Sequence, residues 1–439
     1  MNRWFYTQTI RLLSPVLLAW MALRARRAGG DPQVFVGERF GRYEGASPLK
    51  NPVWVHAVSL GETRAATPFV QALLDEGEAV LLTHFTATGW AEGARAFGPA
   101  IASGQLVQQW LPYDFPAPVR RFLRHYAPRA GALMEREVWP NLLAAARRAG
   151  VPMLLVSARF SDQALRQSLR LGAVMREAYG SFHAVYAQTL QDAQRLEQAG
   201  ARAARVSGNF KFDVSLPEDQ IHQGRDFTRQ LGRKVLAIAS TREGEDEAFI
   251  AALVRAVQRA HAQGRELADE LLVCLIPRHP QRFETAAVQL AQADLPFVRR
   301  STLTQAGEGS VAAARACDGK LVLLGDSLGE MARYYAASQV AIIGGSFAPL
   351  GGQNFIEACA IGVPVLVGPH TRNFEQAVVD AMDEGAALRV PDADAAVRQA
   401  LALLDEPQRL ARMGEAGIHW VEKHTGAVAR VMATLNQLR

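Results

Sequence analysis

The apolar positions of this chain follow two alternating rhythms. Short β-branched or apolar runs occupy residues 53–58, 79–84, 106–111, 130–134, 153–156 and 184–187, and each predicts a buried strand. Between them, stretches such as 92–97, 117–125 and 140–148 repeat their apolar residues at helical spacing. Strands without polar alternation, joined by helices, predict a parallel sheet covered on both faces. After residue 206 the pattern becomes polar, and 207–227 carries little strand signal, so it reads as an interdomain linker. A second series then begins, with strands at 235–239, 271–276, 321–324, 340–343 and 363–367 and a helical tail from 407 to 439. The fold class is therefore α/β, with two doubly wound domains. Ligands of such sheets sit outside the carboxyl ends of the strands, and two consecutive domains imply a cleft between them.

A third pattern marks the N-terminus. Residues 4–23 form an apolar, aromatic-rich run interrupted by Arg11 and Pro15 and followed by Arg24, Arg26 and Arg27. The run has the length of a membrane span, but its central charge equally fits a helix lying in the membrane plane. The basic residues after it predict that the rest of the chain stays cytoplasmic. The expected division is a membrane anchor over 1–30, a first domain over 31–210, a linker over 211–232, a second domain over 233–405 and a helical segment over 406–439.

Composition narrows the chemistry only a little. A net charge of +5 favours an anionic partner. Cys274, Cys317 and Cys359 are too scattered for a disulfide framework or a zinc site. There is no H-E-x-x-H, G-x-S-x-G or D-x-D arrangement, so no metal is expected, and no basic patch interleaved with aromatics suggests nucleic acid.

Candidate chemistry gathers at strand ends. In Ser59-Leu60-Gly61-Glu62, a tight turn delivers a carboxylate to a helix start, where it can cap the helix or act as a base. The helix terminus would lower its pKa, and a bound lipid would raise it again. Glu135 and Glu137 follow another buried strand, and Lys211 opens the linker; taken singly, each is equally a solvated charge. Further along, "GGSFAPLGGQNFIEA" joins a strand to a helix expected from about Asn354, putting Asn354 and Glu357 on one face. Such a glutamate can accept hydrogen bonds from both hydroxyls of a ribose. Arg278 in "PRHPQRF" and the turn "GDSLGEM" bring two more strand ends into the same domain. Together these turns predict that the C-terminal domain holds a nucleotide, although capped helices and surface ion pairs explain each one alone.

Taken in order, "AVSLGETRAA", "MEREVWPNLL", "GNFKFD", "ASTREGEDEAF", "PRHPQRF", "GDSLGEM" and "GGSFAPLGGQNFIEA…GVPVLVGPHTRNF" resemble the Kdo transferases of lipopolysaccharide synthesis. The resemblance implies a GT-B fold, CMP-Kdo as donor substrate with no separate cofactor, and a lipid A precursor, lipid IVA, as acceptor. It also implies a bacterial inner-membrane location with the catalytic domains on the cytoplasmic side. Glu62 falls on the family's catalytic base, and Glu135 and Lys211 fall on residues that support the transition state. Pro277 and Arg278, then Leu328, Gly329 and Glu330, then Asn354, Phe355, Ile356 and Glu357, fall on segments that bind CMP. Arg136, Arg242 and Gln353 depart from the family's usual residues. The competing expectations are another GT-B enzyme with a different nucleotide sugar, or a membrane-attached anion-binding protein without catalysis.

Overall fold

The computed structural model describes residues 1–27, 34–45, 47–214, 216–305 and 310–438. The expected boundary at 30/31 and the side chains of Arg24, Arg26 and Arg27 lie outside the described residues. The chain forms two compact units, one made of Met1–Asp213 with His424–Arg439, the other of Val214–Lys423.

The first unit is built on seven strands: β1 (Val53–His56), β2 (Val80–His84), β3 (Leu106–Trp110), β4 (Ala130–Met134), β5 (Met153–Ala158), β6 (Ala184–Ala187) and β7 (Ala204–Val206). They pair in parallel in the order β3-β2-β1-β4-β5-β6-β7, so the order reverses between β1 and β4. Successive side chains of a strand point to opposite faces. Val53 and Val55 accordingly pack with Phe69 and Val70 of the helix Leu60–Asp75 and with Val431 of the helix Ala427–Asn436. Trp54, between them, packs with Phe122 and Leu142 on the other face. Both faces are covered, which is why β1 reads as an uninterrupted apolar run.

The second unit repeats the plan with β8 (Lys234–Thr241), β9 (Leu271–Pro277), β10 (Phe297–Arg299), β11 (Val322–Leu324), β12 (Val340–Ile343), β13 (Val365–Val367) and β14 (Ala387–Arg389). The order is β10-β11-β9-β8-β12-β13-β14, all parallel, reversing between β8 and β12. The two-domain α/β reading therefore holds.

Three features differ from the expectation. Strands β7, β10 and β14 had no apolar signal long enough to announce them, because each is a three-residue edge strand with incomplete burial. Residues 211–232, expected as linker, contain a 14-residue helix, Glu218–Leu231. It packs through Gly224, where an added Cβ would meet the Arg333 carbonyl oxygen of the helix Met331–Ala337. At the N-terminus, α1 (Arg3–Arg27) is helical throughout, but no helix among the described residues is long and apolar enough to cross a membrane.

Candidate functional site

In the first unit the charged candidates collect at the reversal point. The chain leaves β1 through Ala57 and Val58, and Ser59 caps the helix Leu60–Asp75 with its side-chain oxygen accepting from the Glu62 N–H at 3.5 Å. Glu62 reaches back, its Oε2 accepting from the Val58 N–H at 2.5 Å. This reciprocal S-x-x-E arrangement is a capping box. The register pairs His56 with Leu133, so the exits of β1 and β4 are neighbours, and Glu135 and Glu137 leave β4 beside Glu62.

Glu135 holds φ at 52°, an uncommon conformation for a residue with a side chain, while its N–H donates to the Val156 carbonyl at 3.0 Å. Ser157 and Ser240, at the carboxyl ends of β5 and β8, also have positive φ, at 49° and 58°. Such local strain concentrates at functional sites. Glu137 accepts from Trp139 Nε1 at 2.9 Å, whereas Arg136 is exposed.

The electrostatics of this cluster differ from the sequence reading. Burial, and then the nearby Glu137 and Glu135 carboxylates, push Glu62 up to about 8 against the opposing N–H bonds from Val58 and Ser59. The helix start does not win, because desolvation and like charge outweigh it before any lipid arrives. Glu137 is raised to about 7 by burial, with the Trp139 bond and Arg136 opposing.

Lys211 lies in the same unit, in a short 3₁₀ turn over Phe210–Phe212. Its N–H donates to Asn209 Oδ1 at 3.0 Å. Phe210 packs with tilted rings on Phe69 at 5.3 Å and Phe212 stacks on His424 at 4.8 Å, so aromatic anchors on both sides fix the lysine's backbone.

In the second unit, the reversal between β8 and β12 is tied by a residue that sequence reasoning left without a role. Glu245 is 2% exposed, and its carboxylate accepts four backbone N–H bonds. Oε2 takes those of Arg242 at 2.8 Å and Gly345 at 2.6 Å; Oε1 takes those of Phe347 at 2.8 Å and Ala348 at 3.2 Å. Gly344 passes so close to β8 that an added Cβ would lie 2.6 Å from the Ser240 carbonyl oxygen. Next to it, buried Asp246 binds Thr241 Oγ1 and Arg282, the latter at 2.9 Å through Nε. Glu245 sits in the acidic run that opens the helix Glu245–His261, a signal that suggests only helix-end stabilisation.

The remaining candidates surround this turn. Pro277 ends β9, and the Arg278 N–H donates to the Thr241 carbonyl at 2.9 Å. Asn354 Oδ1 accepts from the Ile356 N–H at 3.1 Å, and its Nδ2 donates to Glu357 Oε1 at 3.0 Å. The helix here is only Ile356–Ile361, shorter and later than expected. Burial raises the Glu357 pKa, opposed by the Asn354 bond and by the charge of Arg278, so these three groups share one neighbourhood. Phe355 is buried, stacked on Trp420 at 5.6 Å, and Ile356 is buried beside it. Leu328 is exposed and Gly329 has φ 80°. The Glu330 carboxylate is held by Arg300 at 2.7 Å, Arg333 at 2.8 Å and Ser327. Glu330 therefore acts as a brace for its loop.

Each unit thus presents polar and charged groups at the carboxyl edge of its sheet, beside its point of strand reversal. That is where doubly wound domains bind and transform ligands. Glu62 with Glu135 and Glu137 can handle a proton, and the glycine-rich turn with Arg278 and Glu357 can receive a polar ligand.

Comparison with known proteins identifies the family. A sequence profile described as 3-deoxy-D-manno-octulosonic-acid transferase (kdotransferase) matches residues 35–214. The 3-deoxy-D-manno-octulosonic acid transferase of Bordetella pertussis is 56% identical over 437 residues, 99% of either chain. That of Haemophilus influenzae is 30% identical over 99% of this chain and 98% of its own. A crystal structure of a glycosyltransferase from Rickettsia africae, 11% identical, superposes on 89% of this chain and 99% of its own with a TM-score of 0.53, a likeness of fold. With over half of its residues shared end to end with such a transferase, the chain belongs to the 3-deoxy-D-manno-octulosonic acid (Kdo) transferase family of glycosyltransferases.

Proposed function

We propose that the protein transfers Kdo from CMP-Kdo to a lipid A precursor, lipid IVA, at the cytoplasmic face of a bacterial inner membrane. The observation that carries the mechanism is the Glu62 carboxylate, held by the Val58 N–H and raised to about 8 beside two further glutamates. A glucosamine hydroxyl attacks poorly until its proton is removed. A carboxylate within reach, with a pKa near the working pH, contributes roughly 10²–10⁴ in rate as a general base. Glu62 takes the proton as the hydroxyl oxygen bonds to the anomeric carbon of Kdo and the bond to CMP breaks, with inversion in one displacement. CMP departs as a phosphate monoester, and Lys211 and Arg278 are the cations that offset its charge. No metal is assigned to the reaction; turnover that persists in excess EDTA is the expected result, and its loss there removes this part of the reading.

Asn354 and Glu357 bind the ribose beside the turn that follows β12. The deciding experiment incubates the full chain with CMP-Kdo and lipid IVA and follows CMP release and product mass. A product heavier by one or more Kdo residues supports the proposal. CMP-Kdo left unchanged overturns it.

A further inference from the structure

The first unit carries a basic groove that is lined by none of Glu62, Glu135, Glu137 and Lys211. It lies between the first turns of α1 and the helices Pro116–Tyr126 and Pro140–Arg148, with a volume of about 710 Å³. Arg3, Arg11, Arg120, Arg124 and Arg148 line it together with Trp4, and no acidic residue does so among the described residues. Arg3 reaches Glu177 at 3.6 Å, but Arg11, Arg120, Arg124 and Arg148 have no ion-pair partner among the described residues. Five guanidinium groups around one groove repel one another unless an anion enters. Their planar donors suit phosphate oxygens.

The floor of the groove is rigid. Tyr6 donates to Asp114 Oδ2 at 3.0 Å, Thr7 Oγ1 donates to Asn141 Oδ1 at 3.0 Å, and Asp114 also accepts the N–H groups of Asn141 and Leu142 at 3.1 and 2.8 Å. The start of α1 is therefore fixed to the body of the unit. Its later turns expose Leu12, Leu13, Val16, Leu17, Trp20 and Leu23, which are 48–80% accessible. At 100° per residue, Leu12, Val16, Trp20 and Leu23 form a stripe centred on the side of α1 opposite Arg3, Thr7 and Arg11. A helix lying in a membrane interface sinks its apolar face about 5–10 Å to the acyl boundary. With the exposed stripe of α1 at that depth, the far side of the helix stands at the level of the phosphates.

We propose that this groove binds the phosphate of an anionic phospholipid at the bilayer surface, and so selects and orients the membrane on which the enzyme works. The inference rests on the membrane location proposed above. Its occupant is a lipid headgroup because the charge is anion-selective and the adjoining surface is apolar.

Flotation of the full-length protein tests it, using vesicles of pure phosphatidylcholine and vesicles containing about one-third phosphatidylglycerol. Wild type should favour the anionic vesicles. Arg120→Gln/Arg124→Gln/Arg148→Gln, three exposed changes that leave α1 intact, should lose about 100-fold of that binding at low salt and keep the weaker binding to phosphatidylcholine. A control with the same charge change, Arg170→Gln/Arg202→Gln/Arg205→Gln, should bind like wild type. Equal binding of wild type to both vesicles overturns the groove and leaves the membrane location standing; binding to neither overturns both. An equal loss in the control assigns the effect to overall charge and also overturns the groove.

Discussion

At the scale of single residues, Glu62 has an observed role at the helix cap and a proposed one as base, and one substitution can separate them. Glutamine also completes an S-x-x-E/Q capping box, so Glu62→Gln keeps the bond to the Val58 N–H and the start of its helix. It cannot take a proton. Turnover should fall roughly 10²–10⁴-fold with donor affinity little changed, and unfolding midpoints close to wild type would show that the loss is chemical. With Glu62 at about 8, the carboxyl is mostly protonated near neutrality. Because the base form is the active one, kcat/KM should rise with pH and level off above about 8. Glu137 is one cause of that elevation. Glu137→Gln keeps an acceptor for Trp139 Nε1 but removes the charge, so the rising limb should move to lower pH. A limb that stays in place would show that Glu137 does not act on the base. The raised groups also link pH to stability. The native state retains protons that the unfolded carboxyls release above their ordinary range, so stability falls as pH rises from there through about 7 and 8. Glu62→Gln/Glu137→Gln should flatten that fall in thermal unfolding measured at several pH values.

At the scale of elements, the turn after β12 depends on a residue a hundred positions earlier. Each oxygen of the Glu245 carboxylate accepts two backbone N–H bonds. In Glu245→Gln, either amide orientation turns an NH₂ group toward two N–H donors, leaving buried donors unmet. The cost should be about 2–4 kcal/mol in urea unfolding, with weaker CMP binding because the loop from Gly344 to Ala348 loses its tie. Stability within about 0.5 kcal/mol of wild type would contradict this account of the turn. The same contact shows where sequence reading stops. Central strands such as β1 and β9 are buried on both faces and announce themselves as apolar runs, and Glu62 and Arg278 could be placed at their ends for that reason. Edge strands β7, β10 and β14 bury too little to leave a pattern. The helix Glu218–Leu231 reads as linker in the sequence because it is mostly polar and the one residue it buries is Gly224, which usually argues against a helix. The braces made by Glu245 and Glu330 depend on partners distant in sequence or ordinary in type, and no local spacing encodes them.

At the scale of the whole molecule, the question is whether the exposed face of α1 holds the protein on a membrane, as proposed. The apolar run from residue 4 to 23 is legible in the sequence, but its burial is not, and that decides how it should be tested. Deleting residues 1–27 would remove Tyr6 and Thr7 and leave Asp114 and Asn141 without two of their buried hydrogen-bond partners. Burial raises Asp114 to about 7, and the Tyr6 hydroxyl is one of the donors that oppose the rise. Truncation would therefore disturb the unit as well as any membrane contact, and loss of binding would have two explanations. Leu12→Gln/Val16→Gln/Leu23→Gln avoids this, because all three side chains are more than half exposed. Fully burying such side chains in an apolar phase contributes about 1.5–3 kcal/mol each. The triple variant should consequently move from the membrane fraction to the soluble fraction while its thermal unfolding midpoint stays within a few degrees of wild type. It should still transfer Kdo to lipid IVA dispersed in detergent, since the Glu62 cluster and the turn after β12 are untouched. A variant that remains on membranes after losing this stripe would show that the exposed face of α1 does not hold the enzyme there.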